Sequence, residues 1–148
     1  MSDNDTPRDD AAPSVQDWNA GIIKEFRSNE GRVGGPFQGA PVLLLHTTGA
    51  KTSIERVNPM MYLNLDGRLY VFASKAGADS DPDWFHNLVA TADVKVELGA
   101  EVFAATASVV DEPDRSRIYA VQSQRYPGFA EYEAKTARVI PVVELSRS

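Results

Sequence analysis

Between Val42 and Ala73 the chain holds three strand-like stretches joined by turns too short to contain a helix. The first opens with the wholly apolar run Val42-Leu43-Leu44-Leu45 and is expected to be a buried strand over 42–47. A second strand is expected over 56–63 and a third over 69–73, with Asn64-Leu65-Asp66-Gly67 between them as a hairpin signal. Strands that succeed one another this closely pair as an antiparallel meander. A second hairpin over 94–98 and 102–110 and a last strand over 139–145 bring the count to six. Pro141 marks the last as an edge strand or a bulge. Short helices are expected from Ser14 to Gly31, over 83–91 with Asp81 as cap and Pro82 opening the helix, from Glu112-Pro113-Asp114 to Arg125, and over 126–136 after a break at Pro127-Gly128. Strands and helices do not alternate regularly, which disfavours a doubly wound parallel sheet. The expected fold is mainly β, a six-stranded antiparallel barrel with flanking helices. It forms one domain over 14–148, behind a tail over 1–13 that is nearly bare of apolar groups and expected to be disordered.

The turn between the first two strands is the candidate for chemistry. Thr48, Lys51, Thr52, Ser53 and Arg56 place two cations and three hydroxyls at the mouth of a buried strand. Side-chain cations, hydroxyl donors and turn N–H groups pointing one way suit an anionic, phosphorylated ligand. The alternative is a solvated hairpin turn with ordinary surface charges. No Walker pattern is present. The whole chain carries a net charge of −6, which argues against a nucleic-acid partner. Against that background, Lys51, Arg56, Arg68 and Lys75 outnumber Glu55 and Asp66 and form a locally positive island.

The chain has no cysteine, so thiolate chemistry and iron–sulfur clusters are excluded. Its two histidines, His46 and His86, are far apart in sequence, which disfavours a metal site. Redox chemistry would need a bound organic cofactor. No apolar run reaches the length of a membrane span, and the N-terminal stretch lacks the apolar core of a secretory signal. A cytoplasmic protein is expected, with peripheral contact to a membrane left open.

Further candidates cluster around the same meander. Pro59 follows Asn58 and removes a ladder donor, so a bend is expected there, leaving room for a planar ring. Ala73-Ser74-Lys75 ends the third strand, where Ser74 can donate a hydrogen bond and Lys75 can hold an acidic group; an exposed strand end is the alternative. Trp84 and Asn87 share one helical face and can cover a ring and bond its edge; core packing of Trp84 and a capping role for Asn87 are the alternative. His86 points away from Trp84 and reads as structural. Tyr126, Phe129 and Tyr132 form an aromatic stripe, which is more often core than pocket; the two hydroxyls favour a partly wet site.

Taken together, Leu-His-Thr-Thr-Gly-Ala-Lys-Thr-Ser-x-x-Arg-x-Asn-Pro, Phe-Ala-Ser-Lys-x-Gly-Ala, Trp-Phe-His-Asn-Leu and Arg-Val-Ile-Pro-Val-Val resemble the deazaflavin-dependent nitroreductase family of actinobacteria, from about Trp18 to Leu145. The resemblance implies a split β-barrel of the type that binds flavin mononucleotide (FMN), here holding coenzyme F420, an 8-hydroxy-5-deazaflavin with a phosphate and an oligoglutamate tail. By matching position, Lys51, Thr52 and Arg56 hold the phosphate and tail. Asn58, Pro59, Ala73, Ser74, Lys75, Trp84 and Asn87 line the deazaflavin. Ser74, Tyr126 and Tyr132 are the catalytic candidates, with Phe129 beside them over the substrate pocket. Ala50 stands where many relatives have a second basic residue. Phe129 stands where nitroimidazole-reducing relatives carry tyrosine. The implied reaction is hydride transfer from reduced F420 to an electron-poor small molecule: a quinone, an enone or lactone, or a nitroaromatic. An FMN-dependent oxidoreductase and a non-catalytic cofactor carrier on the same fold are the alternatives. The fold also implies a homodimer.

Overall fold

The computed structural model describes residues 15–34 and 39–148, with side chains from Asn19 onward. The tail over 1–13 and the side chains of Val15 and Trp18 lie outside the described residues. The elements are α1 (Val15–Ser28), β1 (Val42–Thr48), β2 (Glu55–Leu65), β3 (Arg68–Phe72), a short turn (Lys75–Gly77), α2 (Asp83–Ala90), β4 (Asp93–Leu98), β5 (Glu101–Val109), α3 (Asp114–Arg125), α4 (Gly128–Lys135) and β6 (Val142–Arg147). The six strands close into a barrel in the order β1-β2-β3-β6-β5-β4. Every neighbouring pair is antiparallel, and β4 closes the ring on β1 from Leu44↔Glu97 to His46↔Lys95.

Alternation along each strand sends one row of side chains inward. Leu43 and Leu45 of β1 meet Met60, Val71, Val96, Ala105 and Val143 there, together with Trp84 and Leu88 of α2. The other face of β1 is also covered: Val42 and Leu44 pack with Ile22 and Phe26 of α1 and with Val33. Burial on both faces is why β1 reads as a continuous apolar run instead of an alternating one. Phe26, only 1% exposed, contributes roughly 1.5–3 kcal/mol by leaving water. A third cluster lies outside the barrel, where Ile118 and Tyr119 of α3 and Phe129 of α4 cover Tyr70, Phe72 and Val142.

The hairpin between β2 and β3 turns on Asp66 and Gly67 alone, with φ of 54° and 79°, the two-residue turn that matches strand twist. The β1–β2 register passes through Leu44↔Pro59 without a bulge, so Pro59 leaves that ladder intact. The missing N–H is tolerated because β2 acquires β3 as a second neighbour only from Tyr62 onward. Asp81 does not cap α2, which starts from Pro82 with no side-chain cap; its carboxylate accepts from Arg138 at 2.8 Å instead. The last strand starts at Val142, after Pro141, and leaves Val139 exposed.

Candidate functional site

One end of the barrel opens into a groove of about 1030 Å³. Its walls are the turn after β1 (Gly49, Ala50, Lys51, Thr52), the start of β2 (Glu55 to Asn58), α2 (Asp83, Trp84, His86, Asn87) and one side of α1 (Asn19, Ala20, Ile23). Pairing explains the placement. Arg56 lies opposite Thr47 and Asn58 opposite Leu45. Paired residues share a face, so Arg56 and Asn58 continue the inward row past the apolar plug to the barrel mouth.

The turn is built by its own hydrogen bonds. Gly49 N–H donates to Ile54 O and Ser53 N–H to Gly49 O, both at 2.9 Å. Ile54 N–H donates to Thr52 Oγ1 at 3.2 Å, which occupies the oxygen and leaves the hydroxyl hydrogen to donate elsewhere. Asn87 fixes the turn from α2: its Oδ1 accepts from Ala50 N–H at 2.9 Å and its Nδ2 donates to Thr47 Oγ1 at 3.1 Å. The amide expected at a ring edge lines the groove and also ties α2 to the cationic turn. Among the described residues, the N–H groups of Lys51 and Thr52 have no protein acceptor, and neither Lys51 nor Arg56 has a carboxylate within salt-bridge distance. Cations with no described carboxylate partner beside such N–H groups suit an anion. A Cβ at Gly49 would meet Thr52 Oγ1 at 2.5 Å and Ile54 O at 3.1 Å. Gly49→Ala is therefore expected to push Thr52 out of the turn and weaken anion binding about tenfold, the value of one charge-assisted contact, measured by ligand titration.

The positive island does not survive as one patch. Arg68 lies at the far end of the β2–β3 hairpin, 3.7 Å from Glu144. Lys75 donates to Ser80 Oγ at 3.4 Å on the turn after β3. Lys51 and Arg56 alone face the groove, with Glu55 and Asp83 on its walls. Glu55 is drawn outward by Lys95 at 3.6 Å and His46 Nδ1 at 3.2 Å.

That outward side holds a charge network under α1. Arg27 grips Glu97 through Nε at 3.1 Å and Nη2 at 2.6 Å, and His46 Nε2 lies 2.6 Å from the same carboxylate. The Arg27 hydrogen bond holds the Glu97 carboxyl below the usual range against the opposing effect of burial, with His46 adding to it. A depressed carboxylate stabilises the fold above its unfolded value and loses that contribution as pH falls through its folded value. Melting temperature should therefore drop on acidification. Glu97→Gln should remove about 1–2 kcal/mol at neutral pH and flatten the acid limb of a pH–melting profile.

The remaining expected residues lie elsewhere. Ala73 is fully buried; its N–H donates to Pro141 O at 3.0 Å and its carbonyl accepts from Arg138 at 3.1 Å, so it can only position its neighbour. Ser74 is buried behind the same strand end, and Lys75 is exposed; neither lines the groove. Tyr126 and Tyr132 are half-buried against the third cluster and do not line the groove either. Burial pushes the Tyr62 phenol up, with a smaller contribution from nearby Tyr126. Phe129 is core: its ring stands edge-on to Phe72, Tyr119 and Tyr132, with centroids 5.6, 6.3 and 5.3 Å away. Tyr119, its phenol pushed by burial up to about 12, donates to Phe129 O at 2.7 Å. Sequence reasoning missed His86 at the groove lip, because a short helix lying across an opening presents two of its sides to it. It also missed the α1 wall, for which the spacing of Asn19 and Ile23 on one helical face was the available signal.

Comparison with known proteins matches residues 21–146 to the model of the F420H(2)-dependent quinone reductase family. An F420H(2)-dependent quinone reductase of Mycobacterium tuberculosis (strain ATCC 25618 / H37Rv) is 41% identical over 127 residues, covering 82% of this chain and 85% of its own. A solved F420-H2 dependent reductase, FDR-A, is 34% identical with a TM-score of 0.66, covering 72% of this chain and 94% of its own. A second solved structure, described only as a domain-swapped dimer, is 32% identical with a TM-score of 0.67, covering 90% of this chain and all of its own.

Proposed function

Because the chain belongs to the F420H(2)-dependent quinone reductase family, we propose that the groove between the 49–52 turn, β2 and α2 holds coenzyme F420. The protein is an F420-dependent oxidoreductase. When bound, reduced F420 supplies a hydride from ring carbon 5 of its deazaflavin to an electron-poor acceptor, which takes up a proton to complete its reduction. Quinones come first among acceptors, and enones, lactones and nitroaromatics share the same electron-poor chemistry.

The residues present fit the cofactor. Lys51 and Arg56 meet its phosphate and acidic tail, and the Thr52 hydroxyl and the free N–H groups of the turn complete that contact. Asn58 and Trp84 offer an amide and an indole face to a flat ring in the groove, with Pro59 next along β2. Asn87 keeps the turn in place through Ala50. Ser74 and Tyr126 lie outside the groove, past its β2 wall where β3 ends beside that strand. They are assigned to donate hydrogen bonds to the oxygen that becomes negative in an acceptor bound on that side, and Tyr132 to bound its space. Lys75, on the same side, is assigned to meet an acidic group of a ligand that reaches past β2. The acceptor meets the enzyme as a homodimer in the cytoplasm, at a membrane surface where lipid-soluble quinones reside. No described helix is long and apolar enough to cross a membrane.

The observation that carries this reading is the pair of cations on the groove that no described carboxylate neutralises. Titration with oxidised F420, followed by fluorescence at low and high salt, tests it. Saturable binding that weakens with salt is expected, with FMN bound more weakly. Tighter binding of FMN than of F420 would contradict it.

A further inference from the structure

The groove does not account for the run Arg138-Val139-Ile140-Pro141-Val142-Val143. Its arginine reaches back to the loop that follows β3. Nε donates to Ala78 O at 2.8 Å, and Nη1 to Asp81 Oδ1 at 2.8 Å. Nη2 donates to Ala73 O at 3.1 Å and to Ser74 O at 3.0 Å. Thr136 Oγ1 adds a bond to Asp79 Oδ1 at 2.9 Å. The Arg138 side chain is only 16% exposed, so its donor fork is committed to this loop. Two motifs far apart in sequence, Phe72-Ala73-Ser74-Lys75 and Arg138 to Val143, are one structural unit.

The loop so held is strained. Lys75, Ala76 and Gly77 have φ of 46°, 54° and 83°, three left-handed residues in succession. Only the last is glycine, and a Cβ there would sit 2.9 Å from Tyr132 O on α4. Left-handed backbone brings Cβ against the following carbonyl, so Lys75 and Ala76 keep it only where their surroundings impose it. Arg138 binds the carbonyls on both sides of the turn, alongside the turn's own bonds from Gly77 N–H to Ser74 O at 2.9 Å and from Ala78 N–H to Lys75 O at 3.1 Å.

We infer that Arg138 is a positioning residue for the reaction: its guanidinium holds the 74–77 turn in the left-handed form that sets Ser74 and Lys75 at the end of β3, outside the groove's β2 wall, where they are proposed to meet the acceptor and the ligand's acidic group. This rests on the proposed roles of Ser74 and Lys75. A lysine cannot replace the arginine here, because a single ammonium does not reproduce a planar fork that meets four acceptors. Glycine at position 76 adopts the left-handed form without steric cost and lessens the need for the clamp.

The test compares Arg138→Lys, Arg138→Gln, Ser74→Ala and Lys75→Ala in steady-state turnover of reduced F420 with a quinone, alongside F420 titration and melting curves. In both Arg138 variants kcat should fall about tenfold to a hundredfold, the cost of a misplaced group, while F420 affinity at the Lys51–Arg56 end changes little. Adding Ala76→Gly to Arg138→Lys should restore much of kcat. Arg138 variants that melt earlier but keep wild-type kcat well below their melting temperature would overturn the inference, as would failure of Ala76→Gly to restore turnover. Should the Arg138 variants not fold, Asp81→Asn and Thr136→Ala each remove one tie from the loop. Lowered kcat in these supports the inference, and wild-type kcat in both overturns it. Loss of turnover in Ser74→Ala or Lys75→Ala with wild-type turnover in Arg138→Lys leaves the site reading standing and removes only the positioning role. Wild-type turnover in both Ser74→Ala and Lys75→Ala removes the site reading, and the inference with it.

Discussion

Lys51→Ala/Arg56→Ala is expected to bind oxidised F420 about 100-fold more weakly than the wild type, each cation supplying one charge-assisted contact worth about tenfold. The fold should be unaffected. Both side chains are exposed, and no described carboxylate depends on either. The loss should be largest at low ionic strength and shrink as salt screens the wild-type site. The single variants should each show about half of the effect on a logarithmic scale if the two cations meet separate anionic groups. A double variant no weaker than either single would mean that they share one. Titration of all three by F420 fluorescence, with circular dichroism to verify folding, reads the result.

Trp84→Ala is expected to do two kinds of damage. The indole is 9% exposed and belongs to the barrel interior with Leu88, yet it also lines the groove. Truncation removes a large buried side chain from the end of the barrel, which costs about 3–5 kcal/mol of stability. It also removes the aromatic wall proposed for the deazaflavin. Trp84→Phe keeps much of the packing and a smaller ring face. Chemical denaturation and F420 titration separate the two effects. The phenylalanine variant should recover most of the stability and part of the affinity. Full affinity in Trp84→Ala at a temperature where it is folded would leave Trp84 as packing alone.

What could be read from sequence was local. Asp66-Gly67 specified its hairpin because both residues accept positive φ. The apolar run of β1 announced burial, and the Gly49–Ser53 turn could be singled out as the proposed anion contact because its donors lie within a few residues of one another. Contacts made across long stretches of chain left no such trace. Arg27 reaches Glu97 over 70 residues and Arg138 reaches Ala73 over 65. Nothing about an isolated arginine says which carbonyl or carboxylate it will meet. The spacing of Asn87 from Trp84 points to a ring edge but does not show that its amide also binds the turn. Phe129 shows the limit of a stripe argument. Spacing along α4 puts it beside Tyr126 and Tyr132, but its ring packs against Phe72 of β3 and Tyr119 of α3, which places it in the core. Phe129→Tyr, expected from resemblance alone to favour nitroimidazoles, would instead bring a hydroxyl into an aromatic cluster. The barrel fold followed from the meander and its turns; the family resemblance added the cofactor and its reaction.

The central claim is that this protein uses reduced F420 to reduce quinones. Its most direct test is an anaerobic assay in which purified protein is mixed with reduced F420 and a quinone, and recovery of oxidised-F420 fluorescence is followed against a protein-free control. The expected result is oxidation that depends on both protein and quinone, saturates in each substrate, and yields one quinol per F420 oxidised. Oxidation no faster than the control, in protein shown by titration to bind F420, would contradict the claim and leave a cofactor carrier on a reductase fold.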